Sequence, residues 1–231
     1  MWLDALTDLF FPPRCAECDA PGSVVCDACL RQLPLIDRES ACPRCGAPVI
    51  HDSCGCSECA GRSFSFSGCR CVGLLRPGLS DMVTVYKDGG EHRLAPVISA
   101  LMVECLGQWL QWAESIVPVP PRPGAMSTRG FDHMRAIARH VARETGLPIQ
   151  TVLVARTVAD QRTLGREDRL ANTVGRYEMR RDAKVSGRLL VLDDVFTTGA
   201  TLEACSLALL AAGASEVRGC TVARATDVAV S

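Results

Sequence analysis

Two adjacent carboxylates, Asp193 and Asp194, follow the apolar run Leu189-Leu190-Val191-Leu192 and lead into Val195-Phe196-Thr197-Thr198-Gly199-Ala200-Thr201. Each part of this string has a chemical use. Backbone N–H groups at a helix start, joined by threonine hydroxyls, form a cradle for a phosphate dianion, and Gly199 lets the backbone come close to it. Carboxylates at the C-terminal end of a strand lie where open α/β sheets bind ligands. There they suit vicinal sugar hydroxyls and a water-shelled Mg²⁺. A plain helix cap explains one threonine and one acid, but not the whole string. A P-loop is ruled out, because no GxxxxGK[ST] occurs.

A second set of reactive residues lies near the N-terminus. Of the fourteen cysteines, nine fall between Cys15 and Cys59, and eight of these form CxxC pairs: Cys15 with Cys18, Cys26 with Cys29, Cys42 with Cys45, and Cys56 with Cys59. Two thiolates on a tight knuckle reach one Zn²⁺, and two knuckles complete a tetrahedron, so eight ligands predict two zinc ions. With every ligand a cysteine there is no open coordination position, which makes the zinc structural. Sequential pairing gives two consecutive ribbons; interleaved pairing is the alternative, and Cys54 is an alternative ligand to Cys56 with His51 nearby. Disulfides are disfavoured, because the start MWLDALTDLFFPP has no basic leader and carries Asp4 and Asp8, which predicts a cytoplasmic chain. Cys69, Cys71, Cys105, Cys205 and Cys220 lack ligand spacing and read as small buried apolar residues.

The elements that must hold these groups follow from hydrophobic spacing. A composition of 48% hydrophobic and 22% charged residues with a net charge of −1 describes a globular chain, and no apolar run is long enough to span a membrane. Trp2, Leu3, Leu6, Leu9 and Phe10 predict a short amphipathic helix ended by Pro12 and Pro13. The change in composition near residue 65 divides the chain into a cysteine module, 1–64, and an α/β domain, 65–231. In that domain the spacing predicts helices over about 93–112, 132–145 and 200–212, and strands over 116–120, 189–192 and 216–224. The unalternating run at 189–192 predicts a central parallel strand covered on both faces. Between Arg122 and Arg188 there are fourteen basic and seven acidic residues, so an anionic ligand is expected there. His92, His133 and His140 belong to no nucleophile and base arrangement and read as surface or packing residues.

The final string looks like the ribose-phosphate motif of type I phosphoribosyltransferases, and the chain as a whole resembles the ComF family. The resemblance is carried in order by Phe11-Pro12-Pro13-Arg14-Cys15, the CxxC module, CPRCGAP at 42–48, Tyr86-Lys87, Val117-Pro118-Val119-Pro120, Arg129-Gly130-Phe131, Gln161, Arg169, Asn172 and VLDDVFTTGAT at 191–201. It departs from the family pattern at Asp132-His133, where Asn-Gln is usual. The resemblance implies a type I phosphoribosyltransferase-like parallel sheet behind a zinc-ribbon module, binding 5-phosphoribosyl 1-diphosphate with Mg²⁺. It implies that Thr197, Thr198, Gly199, Ala200 and Thr201 hold the 5-phosphate and that Asp193 and Asp194 contact the ribose. It further implies that Lys87 serves the pyrophosphate side, with Arg129, Arg169 and Gln161 behind it. Three functions follow: a transferase acting through Asp193, Asp194 and Lys87, a ribosyl-diphosphate sensor without turnover, and a competence protein handling single-stranded DNA with partner proteins.

Overall fold

The structure, a computed structural model, describes residues 12–49, 56–156 and 176–226. The expected amphipathic helix before Pro12, together with His51, Cys54, Gln161, Arg169 and Asn172, lies outside these residues. Among the described residues four strands make the main sheet: β1 (Gly68–Leu74), β2 (Ser115–Pro118), β5 (Arg188–Phe196) and β6 (Glu216–Arg224). They pair in the order β1-β6-β5-β2, and every pair is parallel. A separate antiparallel pair joins β3 (Leu153–Ala155) to β4 (Tyr177–Met179).

Successive residues of a strand point to opposite faces, and here each face has its own cover. Leu190 and Leu192 of β5, with Val72, Cys220 and Val222, pack under the helices α2 (Leu79–Lys87), α3 (Leu94–Leu106) and α6 (His133–Thr145). Leu189 and Val191, with Cys69, Cys71 and Val217, pack on the opposite side against α7 (Ala200–Ala211) and against Ile36, Cys42, Cys45 and Cys59. The cysteine module therefore covers part of the sheet as a helix layer would. The short helix α1 (Asp27–Gln32) belongs to that module. Leu35 pairs antiparallel with Gly73, and Ile36 donates its N–H to Val72. The approach is close: a Cβ on Gly46, whose φ is +69°, would sit 2.6 Å from the Cys71 sulfur.

Two expectations are corrected here. The helix expected over 93–112 breaks at Gly107, where φ is +46°, and restarts as α4 (Trp109–Trp112). The carbonyls freed at the end of α3 are taken by arginines, Arg38 donating to Glu104 O at 3.1 Å and Arg70 to Cys105 O at 3.2 Å. The strand expected to stop at Leu192 instead runs on to Phe196, because Asp193, Val195 and Phe196 still pair with Thr221, Ala223 and Arg224 of β6. The helix expected at 132–145 starts at His133, with Asp132 as the N-cap accepting the Arg135 N–H at 2.9 Å, and ends at a left-handed Gly146. No helix among the described residues is long and apolar enough to cross a membrane.

Candidate functional site

The acidic pair lies near the C-terminal end of β5. Asp193 is buried and its Oδ1 accepts the Asp194 N–H at 2.9 Å. Burial and the neighbouring Asp194 charge push the Asp193 carboxyl up to about 8. For Asp194, burial also acts upward, but the His133 hydrogen bond and the Lys87 ammonium outweigh it and hold this carboxyl well below the usual range. Two carboxylates side by side, one driven to keep its proton and one driven to lose it, behave as a coupled pair.

Lys87, at the last turn of α2, forms a salt bridge with Asp194 Oδ2. His133 is buried at the start of α6, with Nε2 3.2 Å from the same oxygen, and its backbone carbonyl accepts the Tyr86 hydroxyl at 2.6 Å. The reading of His133 as a surface or packing residue is thus corrected, since its ring is part of the acidic cluster. The signal was its place at a helix start after Arg129-Gly130-Phe131. That place coincides with the departure from the family pattern, and Asp132 beside it caps the helix. Arg129, from α5 (Ala125–Arg129), is paired with Asp88 at 3.0 Å.

These groups surround two neighbouring cavities with Arg122, Asp193, Val195, Thr197 and Thr201 in common. One, of about 270 Å³, is lined by Lys87, Arg129, His133 and Asp194 besides the shared residues. The other, of about 140 Å³, is walled by the loop Thr197 to Thr201 with Arg122, Arg176 and Thr221. Arg122 and Arg176 were not singled out from the sequence beyond their membership of the basic segment. The structure brings Lys87, Arg129, Asp193, Asp194 and the loop together; Gln161 and Arg169 lie outside the described residues.

The loop owes its shape to its surroundings. Gly199 is the N-cap of α7 in a left-handed conformation, φ +81°. A Cβ there would meet Phe196 at 2.7 Å and Phe64 at 3.2 Å, so the glycine makes room for an aromatic cluster. Phe64 and Phe66 are stacked at 4.5 Å, and Phe196 meets both edge-on. Thr198 Oγ1 accepts the Ala200 N–H at 3.4 Å, a weak cap.

The cysteines gather as two groups, Cys15, Cys18, Cys26, Cys29 and Cys42, Cys45, Cys56, Cys59, the sulfurs of each lying within 4.8 Å of one another. A zinc tetrahedron with bonds of about 2.3 Å places its sulfurs about 3.8 Å apart. The observed Cys18–Cys26, Cys42–Cys59 and Cys45–Cys56 separations are 3.8, 3.7 and 3.6 Å, so the thiols fit two structural Zn²⁺ ions with sequential pairing.

Residues 6–60 match the double zinc ribbon domain family. The chain is 28% identical over 222 residues to the DNA utilization protein YhgH of Salmonella typhimurium, covering 91% of this chain and 96% of that protein. It is 23% identical over 201 residues to competence protein ComFC of Streptococcus pneumoniae, covering 85% and 86%. A solved orotate phosphoribosyltransferase from Aeropyrum pernix aligns with a TM-score of 0.37 and 21% identity over 56% of this chain and 58% of its own, a likeness too weak to carry weight.

Proposed function

Taking the chain as ComF-like, a resemblance that its matches bear out, we propose that it binds 5-phosphoribosyl 1-diphosphate with Mg²⁺ and acts on it as a phosphoribosyltransferase. One observation supports this reading above the others: the acidic pair on β5 runs directly into the hydroxyl and glycine loop at the N-terminus of α7, and both open onto adjoining cavities edged with arginine. A 5-phosphate on Thr197 to Thr201 leaves the ribose beside Asp193 and Asp194, and the diphosphate toward Lys87, Arg129 and Arg122.

The donor set suits Mg²⁺ as an ion shared with the diphosphate, since hard carboxylate oxygens are offered but Lys87 already balances Asp194. When bound there, Mg²⁺ supplies charge that offsets the negative charge of the departing pyrophosphate. The chain's own residues do the rest. Lys87 exchanges its partner, giving up Asp194 for the diphosphate as the sugar hydroxyls arrive at the carboxylates. Cationic side chains then stabilise the leaving group while a cation-like centre forms at C1.

Calorimetric titration with 5-phosphoribosyl 1-diphosphate tests the reading. Thr198→Ala should lose about tenfold in affinity, as expected for one charge-assisted hydrogen bond. Asp193→Asn combined with Asp194→Asn should abolish the Mg²⁺ dependence while inorganic phosphate still binds. Unchanged affinities across the set would reduce the loop to a helix cap. Pyrophosphate release over a panel of nucleobases and amines separates a transferase from a sensor.

A second reading rests on the DNA utilization and competence relatives: the protein supports uptake of external DNA. Deleting the gene in a transformable host should then lower transformation frequency without slowing growth, and rescue should need an intact phosphate loop. A frequency equal to the parent's would end that reading and leave ligand binding standing.

A further inference from the structure

Arg224, the last residue of β6, is 2% exposed and connects the second zinc site to the phosphate loop. Its Nη1 donates to Thr197 O at 2.8 Å, to Phe196 O at 3.4 Å and to Ala225 O at 2.7 Å. Its Nη2 donates to Glu58 at 3.2 Å and lies 4.0 Å from the sulfur of Cys45. The guanidinium also sits 4.4 Å over the Phe196 ring. Glu58 lies between Cys56 and Cys59 in the second ribbon, and its other oxygen accepts the Thr226 hydroxyl at 2.6 Å. Just past that ribbon, Arg62 donates to Thr198 O at 3.1 Å, and Ser65 donates through both N–H and hydroxyl at 2.7 Å to Glu203 in the first turn of α7.

Among these contacts, Arg224 at the end of β6 and Arg62 just past the ribbon together hold three consecutive carbonyls, those of Phe196, Thr197 and Thr198. A trans peptide is planar, with its C=O and the following N–H pointing in opposite directions. Holding those carbonyls therefore turns the N–H groups of Thr197, Thr198 and Gly199 away from the two arginines, as a phosphate cradle requires. A zinc tetrathiolate also carries net negative charge, which the buried guanidinium balances while Glu58 orients it.

We propose that the second zinc ribbon sets the conformation of the phosphate loop through Glu58 and Arg224, so that zinc at Cys42, Cys45, Cys56 and Cys59 and a phosphate ester at the loop reinforce each other. The first ribbon takes no part in this coupling. Arg224 and Glu58 are positioning residues, acting on the ligand through the backbone of the loop. Coupling between sites is reciprocal, so whatever zinc does for ligand affinity the ligand does for zinc retention. The ligand half of the inference rests on the phosphoribosyl reading; the loop half does not.

The decisive measurement is hydrogen–deuterium exchange over residues 197–201 in ligand-free protein, comparing wild type, Glu58→Gln and Cys18→Ser. Glu58→Gln keeps all eight thiols and should still carry two zinc ions by native mass spectrometry, yet its loop amides should exchange about fivefold faster or more. Cys18→Ser, which disables the first site, should leave those rates unchanged. Arg224→Lys, which retains the charge but has one nitrogen in place of the fork that spans Glu58 and the loop carbonyls, should behave as Glu58→Gln does. Equal loop exchange in Glu58→Gln and wild type, or equal acceleration by Cys18→Ser, would overturn the proposal. In a second arm, 5-phosphoribosyl 1-diphosphate should slow chelator-driven release of one zinc of the two by about fivefold in wild type, and not in Glu58→Gln. Absence of ligand binding in wild type would refute the phosphoribosyl reading while the exchange comparison still decides the coupling. Binding without slowed release would refute reciprocity.

Discussion

Asp193 and Asp194 are identical in sequence chemistry and opposite in state. Asp193 is raised above its ordinary 3.8, so the folded chain holds a proton that the unfolded chain has already released. Its contribution to stability is full below about pH 4 and is lost as pH climbs toward about 8. Asp193→Asn should flatten this loss, by up to about 1.4 kcal/mol per pH unit where the group titrates. Urea unfolding across that window measures it, and an unaltered slope would mean that Asp193 is already ionised. Asp194 has the opposite sign, its stabilisation being present at neutral pH and lost only under acid. The carboxylate pair and the threonines were legible in the sequence because they are contiguous. His133, Arg122 and Arg224 were not, because each comes from a separate element and meets the site only when the sheet has formed.

At the scale of elements, the sequence located β6 and α6 closely, since their apolar periods are clean and Gly146 marks a stop. It misjudged β5 and the segment after α3. Nothing local tells a strand to continue through two aspartates; pairing with β6 does. Gly107 was a local stop signal passed over within an otherwise continuous apolar period, and the arginines capping α3 come from the distant positions 38 and 70. The loop before α7 offers a sharper test. Gly199→Ala places a Cβ against Phe196 in a left-handed backbone, and should cost about 1–3 kcal/mol of stability even without ligand. Thermal unfolding of the ligand-free variant checks this. A variant as stable as wild type, but weak in binding, would restore the view that the glycine serves the ligand alone.

Across the whole molecule, the cysteine module and the sheet share a core. Cys42, Cys45 and Cys59 lie in one hydrophobic cluster with Val191, Val217 and Leu202. The module's identity was readable from its spacing, but its use as a face of the α/β domain was not, because CxxC pairs specify a metal and say nothing of what the knuckles pack on. Removing zinc with a chelator should therefore lower the thermal midpoint of the sheet as well as the ribbons. Circular dichroism should follow both in one transition, and two well-separated transitions would contradict a shared core.

The pairing of Leu35 with Gly73 has a consequence for solubility. It covers part of the outer edge of β1, and at the other border Ile149 bridges Ile116 on β2, so among the described residues each flank of the sheet has part of its ladder of N–H and C=O groups occupied. The cap on β1 belongs to the stretch between the two groups of zinc-binding cysteines. Stripping the zinc uncovers a sticky strand, and the metal-free chain should form intermolecular β-structure, seen as thioflavin fluorescence that zinc suppresses.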